Sequence, residues 1–145
     1  MLVGVRAPLL AFNVELQGPL DVAQEVASAV RESSGGLRGV QALGLRLRGG
    51  VQVSMNIVDL EATAPHQLVE RIVSEAEARG AGVGAGELVG LIPAASVVAA
   101  AVAAGVREPF GAAGVPADEA LSATARALRL ERLEPDRVLE WHIGR

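Results

Sequence analysis

The sequence predicts an α+β fold, a ferredoxin-like β-α-β-β-α-β antiparallel sheet with helices on one face and additional helices near the carboxyl terminus. Segments that alternate between apolar and polar side chains are separated by segments of helical periodicity, and Gly or Pro marks most of the boundaries. The chain has 145 residues, of which 50% are apolar and only 2% aromatic. This length suits one domain over residues 1–145, with a core of Val, Leu, Ile and Ala.

The first two predicted elements are a strand over 9–16 and a helix that Asp21 caps and that ends near Glu32. The polar face of the strand carries Asn13 and Glu15. Its apolar face carries Leu10, Phe12, Val14 and Leu16. Because successive side chains of a strand point to opposite faces, one face is expected to pack on the helix.

A β-hairpin is predicted next, with strands over 40–48 and 51–58. A two-residue Gly49-Gly50 loop would place the alternating leucines of the first strand on the same face as the polar residues of the second. A three-residue loop over 48–50, with Gly50 in the left-handed conformation, instead pairs Leu47 with Val51. That loop gives the hairpin one continuous apolar face, so we expect it.

The strongest helical pattern follows the hairpin. Thr63 is expected to cap a helix over 64–79, and Gly80 is expected to end it. Residues 82–89 are rich in glycine but short and apolar enough to form the fourth strand. These elements complete the predicted β-α-β-β-α-β order.

An uncharged stretch, Leu88–Val106, raises the question of a membrane span. Its glycine, proline and many alanines gain little on transfer to lipid, so we expect a buried globular helix from Pro93 to about Ala104. A further helix over 116–130 and an extended tail over 137–143 are predicted to follow.

Composition excludes several classes of function. The net charge of −4 and the pI near 5.2 disfavour nucleic acid as a partner. The chain contains no Cys, and all 13 basic residues are Arg, which excludes thiolate chemistry and a Schiff-base lysine. His66 and His142 stand alone, without ligands at metal-binding spacing, so neither a metal nor a catalytic histidine is expected. The amino terminus shows no signal peptide, which makes a cytoplasmic location the default.

The face of the sheet opposite the helices is predicted to be open and polar. In the predicted topology the first and third strands are neighbours, so their polar residues share this face. The expected groove or interface residues are Asn13, Gln52, Ser54 and Asn56, joined by Arg46 and Arg48 from the adjacent strand. A solvated face is the plain alternative. Short amide and hydroxyl groups beside Ala42 and Gly44, however, favour close approach of a ligand or a second sheet.

Seven segments in order carry a resemblance to a known family. They are VGVRAPLLAFNVEL, RESSGG, VQALG, VQVSMNIVD, TAPHQLVE, GAGELVGLIP and RVLEW. Together they resemble the carboxyl-terminal subdomain of glutamate formiminotransferase, and they extend from about Val3 to Trp141. The resemblance implies transfer of a formimino group, or in some members a formyl group, between glutamate and N5 of tetrahydrofolate.

The resemblance also implies a partner for the open face. In the family two such halves stack their sheets, folate lies between them, and the amino-terminal half supplies the acid/base histidine. This sequence begins with Met1 where the halves would be linked, so we expect little activity from it alone and a separate amino-terminal half as its partner. A non-catalytic folate-binding or regulatory module and a structural homo-oligomer, each using the same open face, are the alternatives.

Overall fold

The structure, a computed structural model, describes residues 10–111 and 116–140. Within these ranges the chain forms four strands and four helices: β1 Leu10–Gln17, α1 Leu20–Val30, β2 Val40–Leu47, β3 Gly50–Ile57, α2 Pro65–Ala78, β4 Gly82–Val89, α3 Ala94–Ala103 and α4 Asp118–Ala127. Single 3-10 turns lie at Glu32–Ser34 and Pro135–Arg137. The predicted α+β class is confirmed.

The four strands form one antiparallel sheet in the order β2-β3-β1-β4. As predicted, β1 and β3 are neighbours at its centre, where Phe12 lies opposite Met55 and Val14 lies opposite Val53. All four of these side chains are buried. The period-two pattern of β1 and β3 therefore directs one complete face of the sheet into the core.

The helices cover that apolar face. Helix α1 packs on β2 and β3, α2 packs beside α1 and contacts β4, and the mutually packed pair α3 and α4 lies against α2. Outside the strands, the largest fully buried side chains are Val26, Val30, Leu68, Ile72, Ile92, Val97 and Leu128. The core thus consists of aliphatic side chains and one aromatic residue, Phe12, among the residues described.

The residues after α4 form what we call the edge strap, residues 128–138, which runs along the outer edge of β4. The Gly86 N–H donates to the Arg129 carbonyl at 2.8 Å, and the Arg129 guanidinium donates to the Val83 carbonyl at 2.9 Å. Farther along, Arg137 donates to the Leu88 carbonyl at 2.7 Å. The strap therefore occupies backbone groups that an edge strand would otherwise leave open.

Three local predictions are wrong. Asp21 does not cap α1: Pro19 stands at the N-cap, and Asp21 lies in the first turn of the helix. Thr63 does not cap α2, because its buried hydroxyl donates to the Arg38 carbonyl at 2.7 Å instead. The tail expected to be extended from residue 137 begins as a 3-10 turn, after which Val138 bridges to Ile92 in parallel. The remainder of that tail, residues 141–143, lies outside the described residues.

The uncharged stretch is divided between two elements. Its first two residues end β4, and Pro93 precedes α3 as its N-cap, so the predicted Pro93-initiated helix is confirmed. One side of α3 is buried through Val97 and Ala101, whereas Val102 is 57% exposed. Across residues 10–111 and 116–140, every helix is too short or too polar to cross a bilayer.

Candidate functional site

The centre of the open face consists of polar side chains from β1 and β3. Asn13 lies directly opposite Ser54, and Glu15 lies opposite Gln52. Asn13, Gln52 and Ser54 are half-buried, whereas Glu15 is exposed. Asn56 lies opposite Ala11, in the next pair that points to the same face, and is exposed. The register therefore brings together the four amide and hydroxyl residues that the sequence predicts for this face.

Strand β4 adds a carboxylate that sequence reasoning missed. Glu87 lies opposite Asn13 on the other side of β1, and the Asn13 side-chain amide donates to the Glu87 carboxylate at 3.3 Å. The signal was present in principle, because buried Leu88 fixes its neighbour Glu87 on the opposite face. Ser54, Asn13 and Glu87 consequently form a row across β3, β1 and β4.

Two glycines of β4 leave space for long side chains of β1. A Cβ on Gly84 would lie 2.6 Å from Oε1 of Glu15, and a Cβ on Gly82 would lie 2.7 Å from Oε1 of Gln17. The Glu15 and Gln17 side chains therefore cover β4 where it has no side chains of its own. Since both are flexible side chains that end in polar atoms, they are free to rearrange when something approaches this face.

The predicted β2–β3 hairpin is confirmed, but its predicted three-residue loop is wrong, and the error changes the open face. The loop has two residues, Arg48 and Gly49, and Leu47 pairs with Gly50 rather than with Val51. The positive φ expected at Gly50 is present, at 133°. This register places three leucines of β2 on the open face, beside the polar residues of β3. They are Leu43, Leu45 and Leu47.

The physical reason for this register lies at Gly44. A Cβ at Gly44 would stand 2.6 Å from the backbone carbon of Ala23 and 2.6 Å from the backbone nitrogen of Gln24. Helix α1 thus approaches β2 so closely that the position under it must have no side chain. With Gly44 facing the helix, its neighbours Leu43 and Leu45 face the other side.

The same register separates the two arginines from the polar centre. Arg46 lies opposite Val51, whose side chain is in the core, so Arg46 stands on the helix side of the sheet. Arg48 lies in the turn. The expectation that both arginines stand beside Gln52 and Ser54 is therefore wrong in its geometry.

The open face as described is a polar centre with apolar borders. Leu43 and Leu47 on β2 are 54% and 51% exposed, and Val89 on β4 is 50% exposed. Two carboxylates, Glu15 and Glu87, accept hydrogen bonds but donate none when ionised. Such a surface suits a partner that covers the borders and a ligand with several N–H donors at the centre.

The histidines do not contribute to this face in the described structure. His66 lies in the first turn of α2, in the helix layer, and its Nδ1 atom is buried without a hydrogen-bond partner among the described residues. His142 lies outside the described residues. The described ranges also contain no group of three or more His, Asp and Glu residues able to hold a metal ion. Among the described residues, the polar centre therefore contains no histidine for proton transfer.

Two concave regions lie away from the polar centre. One, of about 530 Å³, lies between α4 and the edge strap and is lined by Leu121, Arg126 and Leu133 among others. The other, of about 570 Å³, lies at the outer edge of β2 and is lined by Glu32, Ala42 and other residues. Neither is lined by the polar residues of the central strands, whereas a smaller concave region of about 240 Å³, between β4 and the edge strap, is lined by Glu87.

Comparison with known proteins places the central strands and α2 inside one family model. A model described as "Formiminotransferase domain" matches residues 11–108. The chain is 39% identical over 99 residues to a glutamate formimidoyltransferase of Streptococcus pyogenes serotype M1, covering 66% of this chain and 33% of the relative. It is 32% identical over 100 residues to the glutamate formimidoyltransferase of Thermoplasma acidophilum, covering 67% and 33%.

A bifunctional relative is similar over the same part of the chain. The formimidoyltransferase-cyclodeaminase of Sus scrofa is 36% identical over 106 residues, which cover 68% of this chain and 20% of that protein. The matched part of this chain thus spans about a third of the length of the two glutamate formimidoyltransferases and a fifth of the length of the bifunctional protein.

Proposed function

Because this chain belongs to the formiminotransferase family, we propose that its open face forms one wall of the substrate groove of a glutamate formimidoyltransferase. The remaining two-thirds of such an enzyme would form the opposite wall. The observation that carries the proposal is the uncovered face itself, in which short amide and hydroxyl side chains lie at the centre of apolar borders. The matched part of this chain covers a third of each glutamate formimidoyltransferase, so the other two-thirds of such an enzyme could cover that face.

The proposed substrates are tetrahydrofolate and N-formiminoglutamate. N5 of tetrahydrofolate attacks the formimino carbon, the new N–C bond forms, and the bond from that carbon to the glutamate nitrogen breaks. The proton lost by N5 is returned to the leaving amine, which gives free glutamate and 5-formiminotetrahydrofolate. The acid/base histidine that carries this proton belongs, in the proposal, to the opposite wall.

The residues of this chain bind and orient substrate in the proposed reaction. The pterin ring and the formimino group both carry N–H donors, which suit the Glu87 carboxylate and the amide oxygens of Asn13 and Gln52. Covering the face removes water from these groups and strengthens their hydrogen bonds to the substrate. Arg46 and Arg48 are left out of the groove, because the register places one on the helix side and the other in the turn.

A chimera tests the proposal directly. Residues 11–108 of this chain, which the family model matches, replace the corresponding third of the Streptococcus pyogenes relative, and formimino transfer to tetrahydrofolate is measured. We expect activity from the chimera and little from the chain alone, since loss of an acid/base residue costs about a hundred- to ten-thousandfold. A folded chimera that neither binds tetrahydrofolate nor transfers the group would contradict the proposal.

Two matched substitutions locate the groove within the chimera. Asn13→Ala should weaken tetrahydrofolate binding by about 5- to 150-fold, since it leaves Glu87 and the ligand without a hydrogen-bond partner. Gln24→Ala, which removes an exposed amide from α1 in the helix layer, should leave binding unchanged. Equal effects of the two substitutions would place the groove elsewhere.

A further inference from the structure

The edge strap lies outside the part of the chain that the family model matches. That model covers residues 11–108, whereas the strap begins at residue 128. The strap nevertheless lies against β4, the strand that carries Glu87. The proposed transferase function gives the formimino group of N-formiminoglutamate a partner in Glu87, but it leaves the two carboxylates of that substrate without partners in this chain. The strap is therefore a candidate for binding the rest of the substrate.

Several contacts fix the start of the strap beside β4. Arg129 has a φ of 60°, a left-handed conformation that is uncommon for a residue other than glycine. Its guanidinium donates to the carbonyls of Val83 and Gly84 at 2.9 and 3.1 Å. A Cβ on Gly86 would collide with the carbonyl oxygen of Leu128, so this close approach requires a glycine. Strained backbone of this kind persists only where its surroundings hold it, and it often marks a functional site.

The strap and β4 border the concave region of about 240 Å³. Its charged lining residues are two carboxylates, Glu87 and Glu131, and two guanidiniums, Arg132 and Arg137. Because these charges balance, the region favours neither a simple anion nor a simple cation, and it suits a ligand that carries both signs. The uncharged lining residues are Gly86, Leu88, Leu130 and Leu133.

The two guanidiniums of this region differ in the hydrogen bonds that they already make. Arg137 donates to the carbonyls of Leu88 and Gly90 at 2.7–3.0 Å, which fixes it on the end of β4. The Arg132 side chain is 75% exposed and makes one ion pair, at 3.4 Å, with Glu134. An ion pair as long and as exposed as this one contributes little and is easily exchanged for another. Arg132 therefore has donors available to a ligand.

We propose that this region holds the glutamyl part of N-formiminoglutamate, with Arg132 bound to a carboxylate and Glu87 bound to the formimino group. An amidine is a strong base, so the formimino group is a cation at neutral pH and forms a charge-assisted pair with a carboxylate. The Asn13 amide donates to Glu87 at 3.3 Å and orients that carboxylate. The planar guanidinium of Arg132 matches a substrate carboxylate. Leu130 and Leu133 contact the methylene groups between the two ends.

The chemistry of the lining distinguishes this substrate from tetrahydrofolate. The glutamyl tail of tetrahydrofolate has the same two carboxylates, but its nitrogen is a neutral amide. It therefore offers no cation to Glu87 and Glu131. The volume favours the same choice, since pockets for drug-sized ligands measure about 300–1,000 Å³ and this region is smaller. It suits a ligand of amino-acid size rather than a whole folate.

The choice of ligand rests on the proposed transferase function, but the test requires no transfer. Binding is measured with the whole chain, whereas the chimera contains residues 11–108 and so lacks the edge strap. An active chimera beside a whole chain that does not bind N-formiminoglutamate would refute the role of the strap alone. A folded but inactive chimera beside a whole chain that binds it would count against the transferase proposal alone.

Amide chemical shifts of the whole chain, recorded by NMR, give the first test. Titration with N-formiminoglutamate should shift the amides of residues 86–88 and 130–133 saturably. N-acetylglutamate has the same carboxylates and the neutral nitrogen of a folate tail, so it should bind about tenfold more weakly. Equal binding of the two ligands would assign the region to a folate tail and overturn the proposal. The absence of saturable shifts at these amides would also overturn it.

Substitution of Arg132 tests the carboxylate end. Arg132→Gln should weaken both ligands about tenfold, since both present carboxylates, and Arg132→Lys should restore part of the binding. Arg48→Gln removes the same charge in the hairpin turn, at the opposite edge of the sheet, and should leave binding unchanged. A strap that only protects the β4 edge predicts no effect of Arg132→Gln on binding. That result, or equal weakening by Arg132→Gln and Arg48→Gln, would refute the proposal.

Substitution of Glu87 tests the cationic end. Glu87→Gln should weaken N-formiminoglutamate about tenfold and leave N-acetylglutamate unchanged, because only the first ligand carries a cation. A merely structural role of Glu87 would affect both ligands equally. Equal weakening of the two ligands would therefore overturn the assignment of the formimino group to Glu87.

Discussion

Replacing Gly44 by alanine should destabilise the protein strongly for so small a change. The added methyl group would meet the backbone of α1, 2.6 Å from the Ala23 carbon and 2.8 Å from the Ala23 oxygen. Backbone atoms cannot rotate away as a side chain can, so α1 must shift from the sheet. Overpacking of this kind costs about 1–3 kcal/mol. For a chain of 145 residues that corresponds to a fall in Tm of roughly 3–10 °C.

The matched control is Gly49→Ala. Gly49 lies in the hairpin turn, nothing stands within 4 Å of a Cβ built there, and its φ is not in the left-handed region. We expect its stability to stay within about 0.5 kcal/mol of the unsubstituted chain. Thermal and urea unfolding followed by circular dichroism measures both variants. If Gly44→Ala unfolds like Gly49→Ala, then Gly44 does not face α1 and the two-residue loop is incorrect.

Two further predictions concern α2 and the edge strap. Arg71 and Arg79 donate to Glu75 and hold its pKa below the ordinary value of 4.5. Because the folded-state pKa of Glu75 is depressed, Glu75→Gln should lower Tm above pH 4.5. The difference in Tm between the two proteins should vanish as the pH falls through the folded-state pKa. An equal loss of Tm at every pH would exclude a stabilising role for this ion pair. Arg137→Ala removes hydrogen-bond donors to the end of β4 and should lower the opening free energy measured by amide exchange in β4 by about 2 kcal/mol. The opening free energy of β3 should fall less. An equal fall across the whole sheet would contradict this prediction.

Local periodicity was sufficient for most of the secondary structure. The alternation at Leu10, Phe12 and Val14 identified β1 and its buried face, and Pro93 identified the start of α3. Both signals depend on neighbouring residues only, so no knowledge of the tertiary structure was needed. The N-caps were less predictable. The Thr63 hydroxyl can hydrogen-bond either at the start of α2 or with the Arg38 carbonyl, and Arg38 is distant in sequence.

The register of the hairpin was not predictable from local pattern. Leu43, Leu45 and Leu47 alternate as a buried face would, and maximising apolar burial within the hairpin therefore chose the wrong loop. The decisive contact joins Gly44 to Ala23 of α1, and a glycine contributes nothing to a count of apolar side chains. Close approach of two backbones is a property of the folded chain.

The polar centre of the site was predicted in part. Asn13, Gln52, Ser54 and Asn56 follow from strand parity and from the adjacency of β1 and β3, and they share one face in the structure. Their role in binding stays a prediction. Glu87 was missed because the glycines of β4 obscure its alternation, and the register between β1 and β4 shifts next to Val14.

During protein synthesis, the edge strap is made later than the strand β4 that it binds. Arg137 binds a carbonyl of β4 that precedes it by 49 residues. A ribosome adding roughly 5–20 residues per second therefore needs about 2–10 seconds after completing Leu88 to supply that arginine. During this interval a newly made β4 has no strap along its outer edge. Slow synthesis of residues 90–137 would thus prolong the period in which β4 can pair with other nascent chains, and rapid synthesis would shorten it.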